Sequence, residues 1–136
     1  MRKKEGMTLN ELMIVVVIIV TLSGIALPRY LKSMEKARGD EALATVRLLR
    51  AAEKVYYYDN NSTYTTVADL ATQGYVQNPN LNTARAFDYD VNFNNVVVPR
   101  TFTITAKRNQ GCSKNETIKL DYTGIQGGTW TAQCGP

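Results

Sequence analysis

The sequence predicts an α+β fold in which a long N-terminal α-helix, hydrophobic in its first half, packs on a C-terminal antiparallel β-sheet of three or four strands. Two observations support this prediction. Residues 7–58 carry helical signals, whereas from Phe87 onward apolar and polar residues alternate as they do in half-buried strands. With 136 residues, the chain has room for one modest domain besides its apolar segment.

Composition argues against several classes of function. The formal net charge is +4 and falls to +2 without the first six residues, so there is no general nucleic-acid footprint. Histidine is absent, which removes the commonest general base and the commonest metal ligand. We therefore expect a protein that is not an enzyme and that holds neither a metal nor another cofactor.

A basic leader, residues 1–6, precedes a hydrophobic segment, residues 7–28. From residue 7 to residue 27 the only charged side chain is Glu11, and the segment is long enough to cross a membrane as a helix. Because basic residues favour the cytoplasmic side, we expect the C-terminal body to lie outside the cytoplasm. Gly6 stands before the apolar run, whereas an ordinary secretory signal is cut after it. A cut after Gly6 would leave the apolar segment as the new N-terminus.

Gly24 and Pro28 interrupt the helical pattern of this segment. Glycine weakens a helix interior, and proline removes a backbone donor and clashes with the preceding turn. We expect the helix to bend or open locally between them, which would make them a hinge. The alternative is that both residues are simply tolerated, because neighbouring helices in a membrane satisfy the freed backbone groups.

Residues 29–58 predict an amphipathic helix whose apolar side is too wide for one partner. Arg47, Arg50 and Lys54 share one side when residues are placed at 100° steps. The apolar arc spans roughly 200°, against about 100° for one core-facing helix. Its residues are Ala42, Ala44, Val46, Leu48, Leu49, Ala51, Ala52, Val55 and Tyr56. One part can cover the sheet, and the other is available to another chain.

Residues 59–86 predict a connecting segment with one short helix. Thr66 and Asp69 have the spacing of a capping box, and Gly74 can end the helix. Residues 87–136 then predict the sheet. Its apolar alternating positions are Phe87, Tyr89, Val91 and Phe93, then Phe102, Ile104 and Ala106, then Ile118, Leu120 and Tyr122. We expect turns at Gly124 and at Gly127 with Gly128, and a short fourth strand at residues 129–131.

Cys112 and Cys134 are the two cysteines of the chain. Outside the cytoplasm a lone pair of cysteines favours a disulfide, which would close a C-terminal loop. On the chain-entropy model such a loop contributes roughly 3 kcal/mol.

The N-terminal features resemble those of type IV pilins and related pilin-like proteins. The resemblance covers roughly the first third of the chain in detail, and the rest agrees in its layout of a long helix followed by an antiparallel sheet. The matching residues are Pro28 and the run Lys3-Lys4-Glu5-Gly6-Met7-Thr8-Leu9-Asn10-Glu11-Leu12.

This resemblance implies roles for individual residues. Gly6 resembles the residue after which a prepilin peptidase cuts. Met7 takes the place of the new N-terminal residue, usually phenylalanine, whose amine is methylated. Glu11 stands where pilins carry a carboxylate needed for assembly. Cys112 and Cys134 resemble the cysteines that bracket a C-terminal loop in many pilins.

Glu11 also has a physical reason for an assembly role. An ionised carboxylate inside a bilayer is costly and should have a partner. Cleavage after Gly6 creates an α-amine that is protonated near neutral pH. Pairing that amine with Glu11 of a neighbouring subunit would neutralise both groups and favour one register. In the alternative interpretation, Glu11 lies at headgroup level and interacts with the positive end of the helix dipole.

The resemblance implies a structural subunit of a type IV pilus, used in adhesion, motility or DNA uptake. Its partners would be identical or related pilin subunits, a prepilin peptidase, an inner-membrane assembly platform and, before assembly, membrane lipid. The first alternative is a major pseudopilin of a type II secretion system. Such proteins tend to order their C-terminal loop with calcium, for which this chain offers only Glu116 and Asp121 between its cysteines.

A membrane-anchored receptor or enzyme is a third hypothesis, with Asp88 and Asp90 as its candidate carboxylates. Their alternation with aromatic residues favours a solvated sheet face instead. Nucleic acid is a possible but unsupported partner. Its candidate patch is formed by the basic residues around the first cysteine, which are Lys107, Arg108, Lys114 and Lys119.

Overall fold

A single helix, α1, runs through the first half of the protein. The computed structural model describes residues 7–111 and 114–131, and α1 extends from Leu9 to Asp59 over 51 residues. At about 1.5 Å per residue it is roughly 77 Å long. Helical backbone continues through Gly24 and Pro28. The local opening expected between them is therefore not seen, and a hinge at this position stays a prediction.

The two halves of α1 have different surroundings. Every residue from 7 to 33 is exposed, and we call residues 9–33 the arm. Burial begins at Glu35 and recurs every three or four residues, at Gly39, Ala42, Val46, Leu49, Ala52 and Glu53. This spacing keeps one face of the helix against the remaining described residues, which together with it form the head. Among the described residues, α1 is the one helix long and apolar enough to cross a membrane.

A short helix, α2, occupies Val67–Thr72 in the connecting segment. The hydroxyl of Thr66 accepts the Asp69 N–H at 3.2 Å and donates to the Asp69 carboxylate at 2.8 Å, so the predicted pair caps the helix. Gly74, with φ of +83°, follows the helix end, and the Gly74 and Tyr75 N–H groups bond to carbonyls of its last turn. A 3₁₀ turn at Pro79–Leu81 leads on to the sheet.

The sheet has four antiparallel strands in the order β1-β2-β3-β4. They are β1 Phe87–Asn94, β2 Thr101–Arg108, β3 Thr117–Asp121 and β4 Gln126–Gly128. Alternate residues of the first three strands are buried against α1, whose Ala42, Val46 and Leu49 are fully buried in the same core. The predicted α+β fold is confirmed.

The fourth strand differs from the prediction. It lies at Gln126–Gly128, where we expected a turn, and residues 129–131 lie beyond it. The Gly128 backbone approaches Thr117 so closely that a β-carbon there would collide with the Thr117 carbonyl. Glycine is therefore required by the strand contact itself, and the usual reading of two glycines as a turn fails here.

Candidate assembly site

The N-terminus of α1 is capped by its own carboxylate. The Thr8 hydroxyl accepts the N–H of Glu11 at 3.3 Å, and the Glu11 carboxylate accepts the N–H of Thr8 at 3.3 Å. These reciprocal bonds form a capping box, which satisfies two backbone donors at the positive end of the helix. Sequence reasoning missed this motif, although Thr8-Leu9-Asn10-Glu11 before an apolar run is its signature. In the isolated chain, the Glu11 carboxylate therefore already accepts hydrogen bonds from Thr8.

The arm that follows is an apolar helix without cover. The exposed fraction is 54% for Leu12, 60% for Val17 and 63% for Ile25. No residue of its most apolar stretch is buried against the head. Exposed apolar surface of this extent requires lipid or other protein chains.

The C-terminal half of α1, which belongs to the head, also has an exposed apolar face. Leu48 is 57% exposed and Val55 is 51% exposed, whereas the adjacent Leu49 is fully buried. Ala44 and Ala51 are exposed as well. We predicted that one part of the wide apolar arc covers the sheet and that the other part stays available to another chain. The exposure of these residues is consistent with that prediction.

A buried ion pair ties α1 to the sheet where the arm ends. Arg108 donates from Nε to Glu35 Oε1 at 2.7 Å and from Nη2 to Oε2 at 3.1 Å. It also donates to the Ala86 carbonyl at 2.6 Å and lies over the ring of Phe87. Burial raises the pKa of Glu35, but the bonds and the charge of Arg108 outweigh it, so this pKa lies below its usual value.

Sequence reasoning missed this pair, although both positions carry a signal. Glu35 precedes Gly39 and Ala42 at helical spacing, and Arg108 continues the inward alternation of Ile104 and Ala106. Because Arg108 is 1% exposed, it does not belong to the basic patch considered above, and that interpretation is wrong for this residue. Lys107, Lys114 and Lys119 are exposed.

A second buried carboxyl group, Glu53, lies nearer the C-terminal end of α1. Its Oε2 accepts the N–H of Thr65 at 3.2 Å, and Oε1 has no hydrogen-bond partner among the described residues. Glu53 is 0% exposed, and this burial raises its pKa to about 7 although the Thr65 bond lowers it. The group is therefore poised to change charge near neutral pH.

The remaining predicted residues are distributed as follows. Asp88 accepts from Arg85 at 2.6 Å on the solvated side of the sheet, and Asp90 is exposed beside it, as expected for an outer face. Gly6, Cys112 and Cys134 lie outside the described residues. Thr131 donates from its backbone N–H to the carboxylate of Glu116 at 3.0 Å.

Comparisons with known proteins find similarity to competence, secretion and pilin proteins. The chain is 38% identical over 74 residues to competence protein ComGC of Halalkalibacterium halodurans, which covers 54% of this chain and 72% of that protein. It is 35% identical over 69 residues to type II secretion system core protein G of Aeromonas hydrophila, covering 51% and 48% respectively.

A third similarity is to type IV major pilin protein PilA of Myxococcus xanthus. The two are 36% identical over 59 residues, which is 43% of this chain and 27% of that protein. The matched segment thus spans less than half of the secretion protein and of the pilin. No family model and no solved structure matches the chain.

Proposed function

The chain belongs to the family of type IV pilins and pilin-like pseudopilins, and on this premise we propose that it is a structural subunit of a type IV pilus. The observation that carries the proposal is the arm, an apolar helix with every residue exposed, joined to a compact head. Lipid would cover this surface in the inner membrane, and the arms of other subunits would cover it in the filament core.

Processing would precede assembly. A prepilin peptidase would cut after Gly6, and the Met7 amine would then be methylated and keep its charge. The head would lie outside the cytoplasm, where Cys112 and Cys134 would form a disulfide. Gly24 and Pro28 would absorb the change in the helix when the arm leaves the membrane, with an inner-membrane platform driving extraction.

Glu11 would set the register of the arms. In the isolated chain its carboxylate accepts from Thr8. Pairing with the Met7 amine of a neighbouring subunit replaces or supplements this bond, and the capping box is worth only about 1 kcal/mol. A charge pair removed from water is the larger interaction, since an unpaired charge in an apolar core costs several kcal/mol.

Two variants separate the charge of Glu11 from its capping role. Glu11→Gln keeps an acceptor at the third helical position, which suits a capping box, but it removes the charge. Thr8→Ala removes the cap and keeps the charge. We expect Glu11→Gln to leave membrane-inserted subunits that do not enter filaments, and Thr8→Ala to assemble. Filament yield from sheared cells measures both, and normal yield from Glu11→Gln would contradict the pairing.

A pseudopilin of a type II secretion system is the second candidate, favoured by the similarity to core protein G. In a pseudopilin, Glu116 and Asp121 would be the carboxylates available to bind calcium in the C-terminal loop. In this head both accept hydrogen bonds from the protein itself. Glu116 accepts from Thr131, and Asp121 accepts the N–H groups of Gly124 and Ile125 at 2.7 Å and 2.8 Å. This supports the pilus subunit. A dominant band of this chain in sheared surface filaments is the expected result, and its absence there would favour the pseudopilin.

A further inference from the structure

The exposed apolar face of α1 in the head lies between two side chains of opposite charge. Its residues, which we call the ridge, are Ala44, Leu48, Ala51 and Val55, and all four are exposed. At 100° per residue, Glu41 and Arg47 lie about 120° apart around the helix, and the whole ridge falls between them. A chain that covers the ridge therefore meets a carboxylate along one side and a guanidinium along the other.

Glu41 is an exposed carboxylate without a cation partner among the described residues. Arg38, one turn before it, donates instead to Glu35 at 3.3 Å. Glu41 also lines a cleft of about 430 Å³ between α1, the connecting segment and β1, whose walls mix apolar, amide and charged side chains. The carboxylate is therefore accessible to a cation from another chain.

Arg47 is the cation of α1 best placed to reach such a carboxylate. It is exposed and forms no ion pair within the described part of the chain. Around the helix, Lys54 lies about 20° and Arg50 about 60° farther from the ridge than Arg47 does. Arg50 is turned toward the sheet, where it donates to the Tyr122 carbonyl at 3.1 Å. A guanidinium also pairs with a carboxylate more strongly than an ammonium does, because it can donate two parallel bonds.

A second copy of the chain offers the complementary charge at a defined stagger. Glu41 of one copy stands level with Arg47 of a parallel copy when the two are shifted by six residues, about 9 Å. The proposed pairing of the Met7 amine with Glu11 needs a shift of four residues, about 6 Å, in the same direction. One copy then contributes Met7 and Glu41, and the other contributes Glu11 and Arg47. The difference of about 3 Å is within the reach of an arginine side chain.

The direction of the arms selects this staggered arrangement. Two copies related by a two-fold axis across the ridge would form the same ion pair twice, but their arms would point in opposite directions. Arms that enter one membrane run parallel. A parallel, staggered contact is heterologous, so it does not close a dimer and continues from copy to copy as a filament.

We propose that Glu41 of one copy forms an ion pair with Arg47 of a neighbouring copy and thereby fixes the stagger of the heads. The proposal rests on the proposed function, because the assembled arms are what bring the two copies side by side. Covering the ridge also removes water from around the pair, which strengthens the attraction between the charges. The pair adds a specific register in the head to the non-directional packing of apolar surface.

Charge reversal tests the pair in filaments sheared from cells. Glu41→Arg and Arg47→Glu each bring two like charges together between copies. We expect each variant to lower the filament yield by about tenfold, which is the lower end of the effect of close charge pairs across an interface. The double variant places an arginine opposite a glutamate again and should restore most of the yield. Loss in the single variants without recovery in the double variant would overturn the proposal.

Asp40 provides the matched control, because it is exposed and lies on the Arg47 side of the ridge. Asp40→Arg should not restore the yield of Arg47→Glu, and equal recovery would show that net charge, not this contact, matters. All variants should keep the urea midpoint of the head, followed by Trp130 fluorescence, because the substituted residues are exposed. Normal yield from both single variants refutes the pair and leaves the filament role intact. If the unaltered chain is absent from filaments, the proposed function fails, and the pair fails with it.

Discussion

The two halves of α1 are one continuous helix and yet meet opposite conditions. In the arm every residue is exposed and most are apolar, whereas in the head one stripe of the helix is buried and charged residues cover much of the rest. The arm gains nothing from folding onto its own chain, so its stability depends on lipid or on other subunits. The head carries its own core. Changes in the buried stripe of the head should therefore alter folding, and changes in the arm should alter assembly.

The largest effect on folding is expected at Arg108. Arg108→Met leaves the buried Glu35 carboxylate with only Arg38, at 3.3 Å, as a partner in place of a bidentate ion pair, which costs about 3–5 kcal/mol. Trp130, the only tryptophan, packs on Phe87 in the head and reports urea unfolding by its fluorescence in detergent-solubilised protein. Lys107→Met, one residue away and exposed, is the control and should leave the midpoint unchanged. Equal midpoints for both variants would show that the pair does not anchor the helix.

Two adjacent leucines on α1 sharpen the comparison. Leu49→Ala opens a cavity in the core and should cost about 2–5 kcal/mol, because Leu49 is fully buried. Leu48→Ala should change the unfolding free energy by less than about 0.5 kcal/mol, because Leu48 is 57% exposed. We expect Leu48→Ala to reduce filament yield instead. Loss of stability in Leu48→Ala would mean that this face already has a partner within the head.

Stability of the head should depend on pH through Glu53. Its pKa is about 7 in the folded head and about 4.5 for an ordinary exposed glutamate, so the folded state binds more protons than the unfolded state between these pH values. Stability should therefore fall as pH rises from about 4.5 to 7, by about 3 kcal/mol, and level off above. Glu53→Gln should flatten this profile in urea unfolding at pH 5 and pH 8.

The exposed Glu41 on the same helix provides the control, and Glu41→Gln should keep the slope. Glu35, Asp69 and Asp121 have lowered pKa values, so their contributions are lost only as pH falls below about 4. A slope that survives in Glu53→Gln would assign the pH dependence to another group.

The smallest effects are expected from two glycines of α1. At Gly39 an added β-carbon would collide with the Trp130 ring, whereas at Gly24 it would meet nothing. Gly39→Ala should destabilise the head by about 1 kcal/mol, which lowers its melting temperature by roughly 4–8 °C. Gly24→Ala should leave that temperature unchanged, because the arm does not contact the head. A lower value for Gly24→Ala would mean that arm and head are coupled.

The sequence predicted the elements of the fold but not the details of their contacts. The helix, the first three strands and the cap of α2 follow from period and spacing, which are local properties of the chain. The position of the fourth strand was not predicted, because two consecutive glycines such as Gly127 and Gly128 are also typical of turns. Their pairing with β3, next to Thr117, places them in the sheet. At the candidate site, Glu11 and the apolar arm were evident, while the capping bond from Thr8 was overlooked.

By itself, the sequence determined that a long apolar helix carrying one carboxylate precedes a half-buried sheet, since hydropathy and periodicity are written along the chain. Only the tertiary structure decided which charges are removed from water. Glu35 and Arg108 are 73 residues apart, and neither position alone reveals the other, because their pairing depends on how the helix lies across the sheet. The same packing decided that Leu49 belongs to the core while Leu48, its neighbour, stays exposed.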